Sequence, residues 1–349
     1  MFYDIANTTI KNLQRFEFYD GERLECPITV VGPDGSSPTM LRVYAYGGNI
    51  GRIATIHSKK STYTRLTKEK EYANYLGENW LLKDNEIDKN YLQYLKSRYI
   101  ALEKYDESAI CRELCVRLQK MLDEQCHKQL DNPEYLDLIL KAAQKKFLKK
   151  GGNPGERRIQ TEIVRRHMKK DSKADWCVID MEYTIPEKVN PARKSFKPDI
   201  VVFDKNYGFG FIELKYNNES EYNLEKHYMD VRNVIKDNEA VRKITTELKR
   251  RSSYLCEYGL IDTTIHHSMQ NSAVQKLWQG FLFVGGEQER AVSLVGSLAA
   301  KQNVIKSDKN CRFVFFPYKE ESYVDSIDNI KLEYHSMQTY EEFVKREMS

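Results

Sequence analysis

The stretch Lys194 to Tyr216, KSFKPDIVVFDKNYGFGFIELKY, decides the fold. Two short runs rich in β-branched and aromatic residues, Ile200 to Phe203 and Phe209 to Leu214, flank Asp204, Lys205, Asn206, Tyr207 and Gly208, the pattern of a β-hairpin with its turn. Side chains alternate along a strand, so Phe211, Glu213 and Lys215 share one face, and Asp199, Val201 and Phe203 share one face of the first strand. A turn symmetric about Asn206 sets Phe203 opposite Phe209, Val201 opposite Phe211 and Asp199 opposite Glu213. The two carboxylates then face each other.

Directly opposed residues of an antiparallel pair have Cβ atoms roughly 4.5 to 5.5 Å apart, and like charges there are destabilising. A cation removes that penalty. Mg²⁺ takes oxygen ligands and is often held by one or two carboxylates plus substrate phosphate and water. Lys215, one pleat beyond Glu213, brings a positive charge to the same point. Two carboxylates and a lysine on one sheet face suit metal-assisted hydrolysis of a phosphodiester.

Pro198-Asp199 followed by Glu213-Leu214-Lys215 resembles the signature of the PD-(D/E)xK nuclease superfamily, the restriction-endonuclease-like fold. The resemblance spans Glu156 to Tyr318 and implies a three-layer α/β core with a mixed sheet. It also implies that Asp199 and Glu213 bind the metal, that the Leu214 carbonyl adds a ligand, and that Lys215 positions or activates the attacking water. The cofactor it implies is Mg²⁺, with Mn²⁺ as a substitute. The partner is DNA, with RNA an open alternative, and the cutting is endonucleolytic. A role in defence against foreign DNA, as a homo-oligomer or as a subunit of a multi-protein defence complex, is an expectation at the level of the family. The competing class is a catalytically silent nuclease-fold module that binds nucleic acid or a partner protein; the complete Asp, Glu and Lys set argues against it.

Some nucleases of this superfamily carry a Gln and a Tyr one turn apart on the helix after the lysine. Here that segment carries the apolar stripe Leu224, Tyr228, Val231 and Ile235, with His227 and Asp230 at its edge, and lacks the pair. His227 is placed to touch a phosphate or a metal-bound water; a helical His is more often a surface or boundary residue. Upstream, the segment from Glu156 to about Lys170 is helical. Counting 100° per residue, Glu156 shares its apolar stripe and Glu162 does not. The resemblance implies a further acidic residue from this helix, with Glu156 the better candidate and Glu162 in reserve. Favourable electrostatics at a helix N-terminus explain Glu156 equally well.

Net charge is +4, too small to identify a nucleic-acid partner, so its distribution matters more. Between Lys141 and Lys173 stand twelve Lys or Arg against three acids. Lys149, Lys150, Arg157 and Arg158 from this cluster, with His227, are the candidate phosphate contacts.

A length of 349 residues suggests two domains, and Gly151-Gly152-Asn153-Pro154-Gly155 is the best boundary. The expected division is an α+β accessory domain over 1–150, β-rich in 1–60 and helical in 65–150, then the nuclease domain over 151–349. Strand-like runs are Leu13 to Tyr19, Ile28 to Gly32, Leu41 to Tyr46 and Ile50 to His57. Asn132-Pro133 starts a helix. In the second domain Trp176 to Ile185 reads as a strand. Gly280 to Gly286 and Cys311 to Tyr318 bracket a helix, which implies a parallel extension of the sheet. Thr339 and Glu342 form a capping box.

Hydrophobic residues at 41% with 30% charged fit a soluble globular chain and exclude a disordered one. No run approaches the roughly 18 apolar residues of a membrane span, and Met1 to Ile10 lacks a secretory pattern. A cytoplasmic protein without a membrane partner is expected. Seven cysteines without framework spacing fit reduced thiols. Cys111, Cys115, Cys126 and His127 lack the two-pair spacing of a zinc site.

Overall fold

The computed structural model describes residues 2–19, 24–33, 40–56, 61–66, 82–83, 86–87, 89–99, 102–106, 109–110, 112–113, 116, 132–147, 156–168, 176–185, 196–216, 224–272, 276–284, 288–316 and 339–348. The four zinc-candidate residues and the Gly151 to Gly155 stretch lie outside them. The chain is mixed α/β and forms two compact units, one of Met1–Val31 with Thr39–Thr161, the other of Gly32–Pro38 with Glu162–Ser349.

The first unit opens with helix α1 (Phe2–Gln14). The expected strand from Leu13 is therefore shorter: Ile10 and Leu13, both buried, sit at helical spacing, and the chain becomes extended only at β1 (Phe18–Tyr19), paired with β2 (Leu24–Glu25). A four-stranded sheet follows in the order β3 (Ile28–Pro33), β4 (Met40–Ala45), β5 (Gly48–Ile56) and β6 (Ser61–Leu66). The β4–β5 and β5–β6 pairs are antiparallel. A short ribbon, β7 (Leu82–Lys83) with β8 (Glu86–Ile87), precedes α2 (Lys89–Arg98) and α3 (Pro133–Phe147). The Asn132 carboxamide accepts the Tyr135 N–H at 3.1 Å, and Pro133 needs no N–H partner, so α3 begins where Asn132-Pro133 directs.

Between α2 and α3 lies a buried acid. Asp137 accepts from Tyr94 Oη at 2.9 Å and from the Tyr99 hydroxyl, with Arg98 Nε 3.5 Å away. Burial pushes its carboxyl up from 3.8 to about 6, a rise that the Tyr99, Arg98 and Tyr94 contacts only partly oppose. The folded state thus holds this proton more tightly than the unfolded chain. Its contribution is fullest below pH 4 and is lost as pH rises through 6. Relative to Asp137→Asn, the wild-type unfolding free energy should fall by something on the order of 2–3 kcal/mol between pH 4 and 7 in urea titrations. A parallel pair of pH profiles would rule this out.

In the second unit α4 (Glu156–Met168), whose first residues belong to the first unit, leads to a five-stranded sheet. Its order is β13 (Cys311–Phe316), β12 (Leu277–Val284), β11 (Gly208–Tyr216), β10 (Ile200–Asp204) and β9 (Trp176–Met181). β9, β10 and β11 form an antiparallel meander, whereas β11, β12 and β13 run parallel. The hairpin register is the one its turn dictates, with Phe203 opposite Phe209 and Val201 opposite Phe211. Gly208 closes the turn with φ +81°, and the Asp204 carboxylate accepts the Asn206 and Tyr207 N–H groups at 2.7 and 3.0 Å. β9 ends earlier than the sequence suggests, because Glu182 is left-handed (φ +50°) and only Ile185 pairs again, with Phe196.

The helices are α5 (Leu224–Lys236), α6 (Asn238–Glu257), α7 (Thr263–Asn271), α8 (Gln288–Lys301) and α9 (Tyr340–Met348). Phe281, Phe283 and Phe313 on one sheet face pack with Leu224 and Tyr228 of α5, Leu294, Val295 and Leu298 of α8, and Phe343 of α9. In α5 the buried stripe runs through Val234 instead of Ile235, completing the spacing set by Leu224, Tyr228 and Val231. The Thr339 N–H donates to Glu342 at 2.9 Å and Thr339 Oγ1 accepts the Glu342 N–H at 3.5 Å, the two halves of the capping box of α9. Among the described residues, no helix is long and apolar enough to cross a membrane.

Candidate active site

Glu213 and Lys215 are two residues apart on β11 and project to one face, where Lys215 Nζ donates to Glu213 Oε1 at 2.8 Å. On neighbouring β12 their register partners are Phe281 and Phe283, so both charges lie in the phenylalanine-lined face under α5 and α8. Both are buried, Glu213 at 5% exposure and Lys215 at 4%. Charges this deep persist only when paired and hydrogen-bonded.

Asp199 immediately precedes β10. One residue beyond the Ile200–Ile212 pair, the register sets it opposite Glu213. Its Oδ2 accepts the Leu214 N–H at 2.8 Å, which ties this half-exposed carboxylate to the stretch of backbone joining Glu213 to Lys215.

Pro198 explains what happens to the other half of Leu214. The Glu182 N–H donates to the Asp199 carbonyl at 2.9 Å, so the Asp199 backbone faces β9 and the flanking Pro198 and Ile200 backbones face β11. Leu214 is the residue opposite Pro198, and proline has no N–H. The Leu214 carbonyl therefore receives no ladder donor from that side.

The remaining side of Glu213 meets α5. His227 Nδ1 lies 3.2 Å from Glu213 Oε2, yet both atoms are buried and neither makes an aligned hydrogen bond. Gln279 Nε2 donates to the His227 carbonyl at 3.1 Å, and the Phe196 ring meets the imidazole edge-on at 6.3 Å. Burial alone would raise the Glu213 carboxyl; His227 and Lys215 together outweigh it and hold the group below the usual carboxylate range. Glu213 is thus ionised at neutral pH with one oxygen poorly satisfied.

This donor set fits a hard divalent ion. Asp199 and Glu213 supply carboxylate oxygens, and the Leu214 carbonyl adds an oxygen without a ladder donor. Among the described residues, no three His, Cys, Asp or Glu side chains form a ready-made metal cluster. Two carboxylates completed by phosphate and water are the requirement of Mg²⁺, a smaller demand.

Glu156 is half-buried at the start of α4, within the first unit. Glu162 pairs along its own helix with Arg165 at 2.7 Å and Arg166 at 3.7 Å. Arg157 is exposed and Arg158 lies 5.4 Å over the Tyr46 ring, both in the first unit. Lys149 and Lys150 lie outside the described residues. The sequence offers His227 at the edge of a helical stripe as a contact to phosphate or to a metal-bound water; its contact with Glu213 joins a helix to a strand and leaves no local signal.

No known protein family, curated protein or solved structure matches this chain.

Proposed function

We propose that the chain is a metal-dependent nuclease of the PD-(D/E)xK type, with a restriction-endonuclease-like second unit. The observation that carries this reading is the buried Lys215–Glu213 pair beside an Asp199 anchored on Leu214. The helix, strand and hairpin sequence of α4, β9, β10 and β11, continued by parallel strands, supports it further. The substrate is the phosphodiester backbone of DNA, cut internally, with Mg²⁺ as the cofactor and Mn²⁺ able to replace it.

Asp199, Glu213 and the Leu214 carbonyl are the residues that would hold the ion. The chemistry such an ion supplies is polarisation of the scissile phosphate and a lowered pKa for bound water. The protein does the rest. Lys215 presents a fixed ammonium that aligns the attacking water and offsets charge growing on the phosphate oxygens. Glu213 orients that ammonium through a charge-assisted hydrogen bond. The half-exposed Asp199 marks the open edge at which a phosphate enters.

One observation favours a second reading, a silent binding module: both Glu213 oxygens already face nitrogen atoms of the protein, Lys215 Nζ and His227 Nδ1. Supercoiled plasmid incubated with Mg²⁺ separates the two. Wild type should relax or linearise it and Asp199→Ala and Lys215→Ala should not; equal cutting by all three ends the enzymatic claim for this site. A panel of single- and double-stranded DNA and RNA then fixes the substrate. Cutting a duplex with one such site per chain calls for two copies or two successive nicks, and defence against foreign DNA is the role this activity would serve.

A further inference from the structure

At the opposite end of the parallel strands, where β13 begins, a cavity of about 340 Å³ opens between the last turn of α5 and the 3₁₀ turn Asn303–Ser307. The row of Cys311 lies four strand residues from that of Lys215 and two from that of Glu213, about 13 and about 7 Å along the sheet, and no residue lining the cavity belongs to the candidate active site. Ile235 and Val304 provide its apolar wall. This accounts for Ile235 leaving the buried stripe of α5 to Val234.

Three cations line the cavity, Arg232, Lys236 and Lys309, against one acid, Asp308. That acid is already used by the fold. Its Oδ2 accepts from Tyr228 Oη at 2.9 Å and its Oδ1 accepts the Asn310 N–H at 3.0 Å. Arg232 Nε stands 3.6 Å from Asp308 Oδ2 and is buried without a hydrogen bond. The guanidinium lies 5.9 Å over the Tyr228 ring, which limits its freedom. Lys236 and Lys309 make no ion pair among the described residues and are exposed. A lysine in the last turn of a helix is explained by the helix dipole alone. A guanidinium held to Asp308 by an ion pair without an aligned hydrogen bond, converging with two lysines that make no ion pair among the described residues on one concavity, is not.

We propose that this cavity binds a small phosphomonoester of about mononucleotide size. The surplus of two positive charges matches a phosphate dianion, and a planar guanidinium is the donor suited to phosphate oxygens. The volume, at the lower end of the roughly 300–1,000 Å³ of small-molecule sites, exceeds what a bare phosphate needs and leaves the aliphatic wall for the rest of the molecule. The proposal is independent of the nuclease reading, since it uses none of that site's residues.

Isothermal titration of the full chain with adenosine 5′-monophosphate, inorganic phosphate, adenosine and a 5′-phosphorylated oligonucleotide tests it, at physiological ionic strength. Saturable binding of the monophosphate is expected, with weaker binding of phosphate and none of adenosine. Lys236→Gln/Lys309→Gln, at exposed positions that leave the thermal transition in place, should weaken monophosphate binding at least tenfold. Absence of monophosphate binding, or equal affinity in the double variant, overturns the proposal. So does a preference confined to an oligonucleotide with a 5′-phosphate, which would make the cavity a nucleic-acid contact.

Discussion

Lys215→Ala should lower Mg²⁺-dependent plasmid cleavage by about 10²–10³-fold, the usual loss when one preorganised electrostatic donor is removed from a reacting centre. The ammonium is held 2.8 Å from Glu213 on a face roofed by helices, so it cannot be replaced by a neighbouring lysine or by bulk solvent. Asp199→Ala should lose at least as much, because it removes a carboxylate and releases the Leu214 N–H that it accepts. Thermal unfolding of each variant distinguishes lost chemistry from lost structure: Lys215→Ala leaves the buried Glu213 carboxylate with His227 alone, so its transition should fall, and the rates are compared at a temperature where each variant is folded. A fall in rate no larger than the fall in folded fraction would assign Lys215 a structural role.

The largest expected effect on stability lies elsewhere in the same unit. Arg251→Met should lower the unfolding free energy by about 3–5 kcal/mol, because it strands a fully buried carboxylate. Arg251 Nη1 donates to Asp180 Oδ2 at 2.8 Å, and the side chains are 4% and 0% exposed. Arg251 also holds Glu247 at 2.8 Å and lies 4.6 Å over the Tyr183 ring, so it bolts α6 to the edge of the sheet. Asp180 is the register partner of Val201, two residues from Asp199, which makes this bolt a support for the strand that carries the site. Urea unfolding of Arg251→Met and of Asp180→Leu/Arg251→Met provides the check. The double variant should recover most of the loss, since an apolar pair replaces an unpaired charge. A single variant as stable as wild type would show that the ion pair contributes nothing to the unit.

Why the hairpin was readable and the bolt was not is a matter of range. Two alternating runs around a Gly-terminated turn fix register locally, so Phe203–Phe209 and the facing of Asp199 and Glu213 follow from counting. The parallel pairing of β12 and β13 follows from strand, helix, strand for the same reason. Asp180 and Arg251 stand 71 positions apart, and nothing near either residue announces the other. His227 and Glu213 meet across a helix and a strand in the same way. Periodicity also misjudged neighbours: Val234 and Ile235 differ by one helical step, and only packing decides which is buried. At the N-terminus, Phe16 and Phe18 alternate as a strand would, which masks the helical spacing of Ile10 and Leu13 just before them. The resemblance at Pro198-Asp199 and Glu213-Leu214-Lys215 pointed to the candidate site residues; that the Leu214 carbonyl faces Pro198, which has no N–H to give it, follows only from the Glu182–Asp199 hydrogen bond, which fixes the side each backbone faces.

Mn²⁺ binding, followed by loss of the free-ion electron paramagnetic resonance signal, tests the metal site without requiring a substrate. Wild type should bind about one ion per chain, competed by Mg²⁺, and Glu213→Gln and Asp199→Asn should each abolish it while both remain folded. Binding unchanged in both variants would contradict a metal centre built on this β-ribbon.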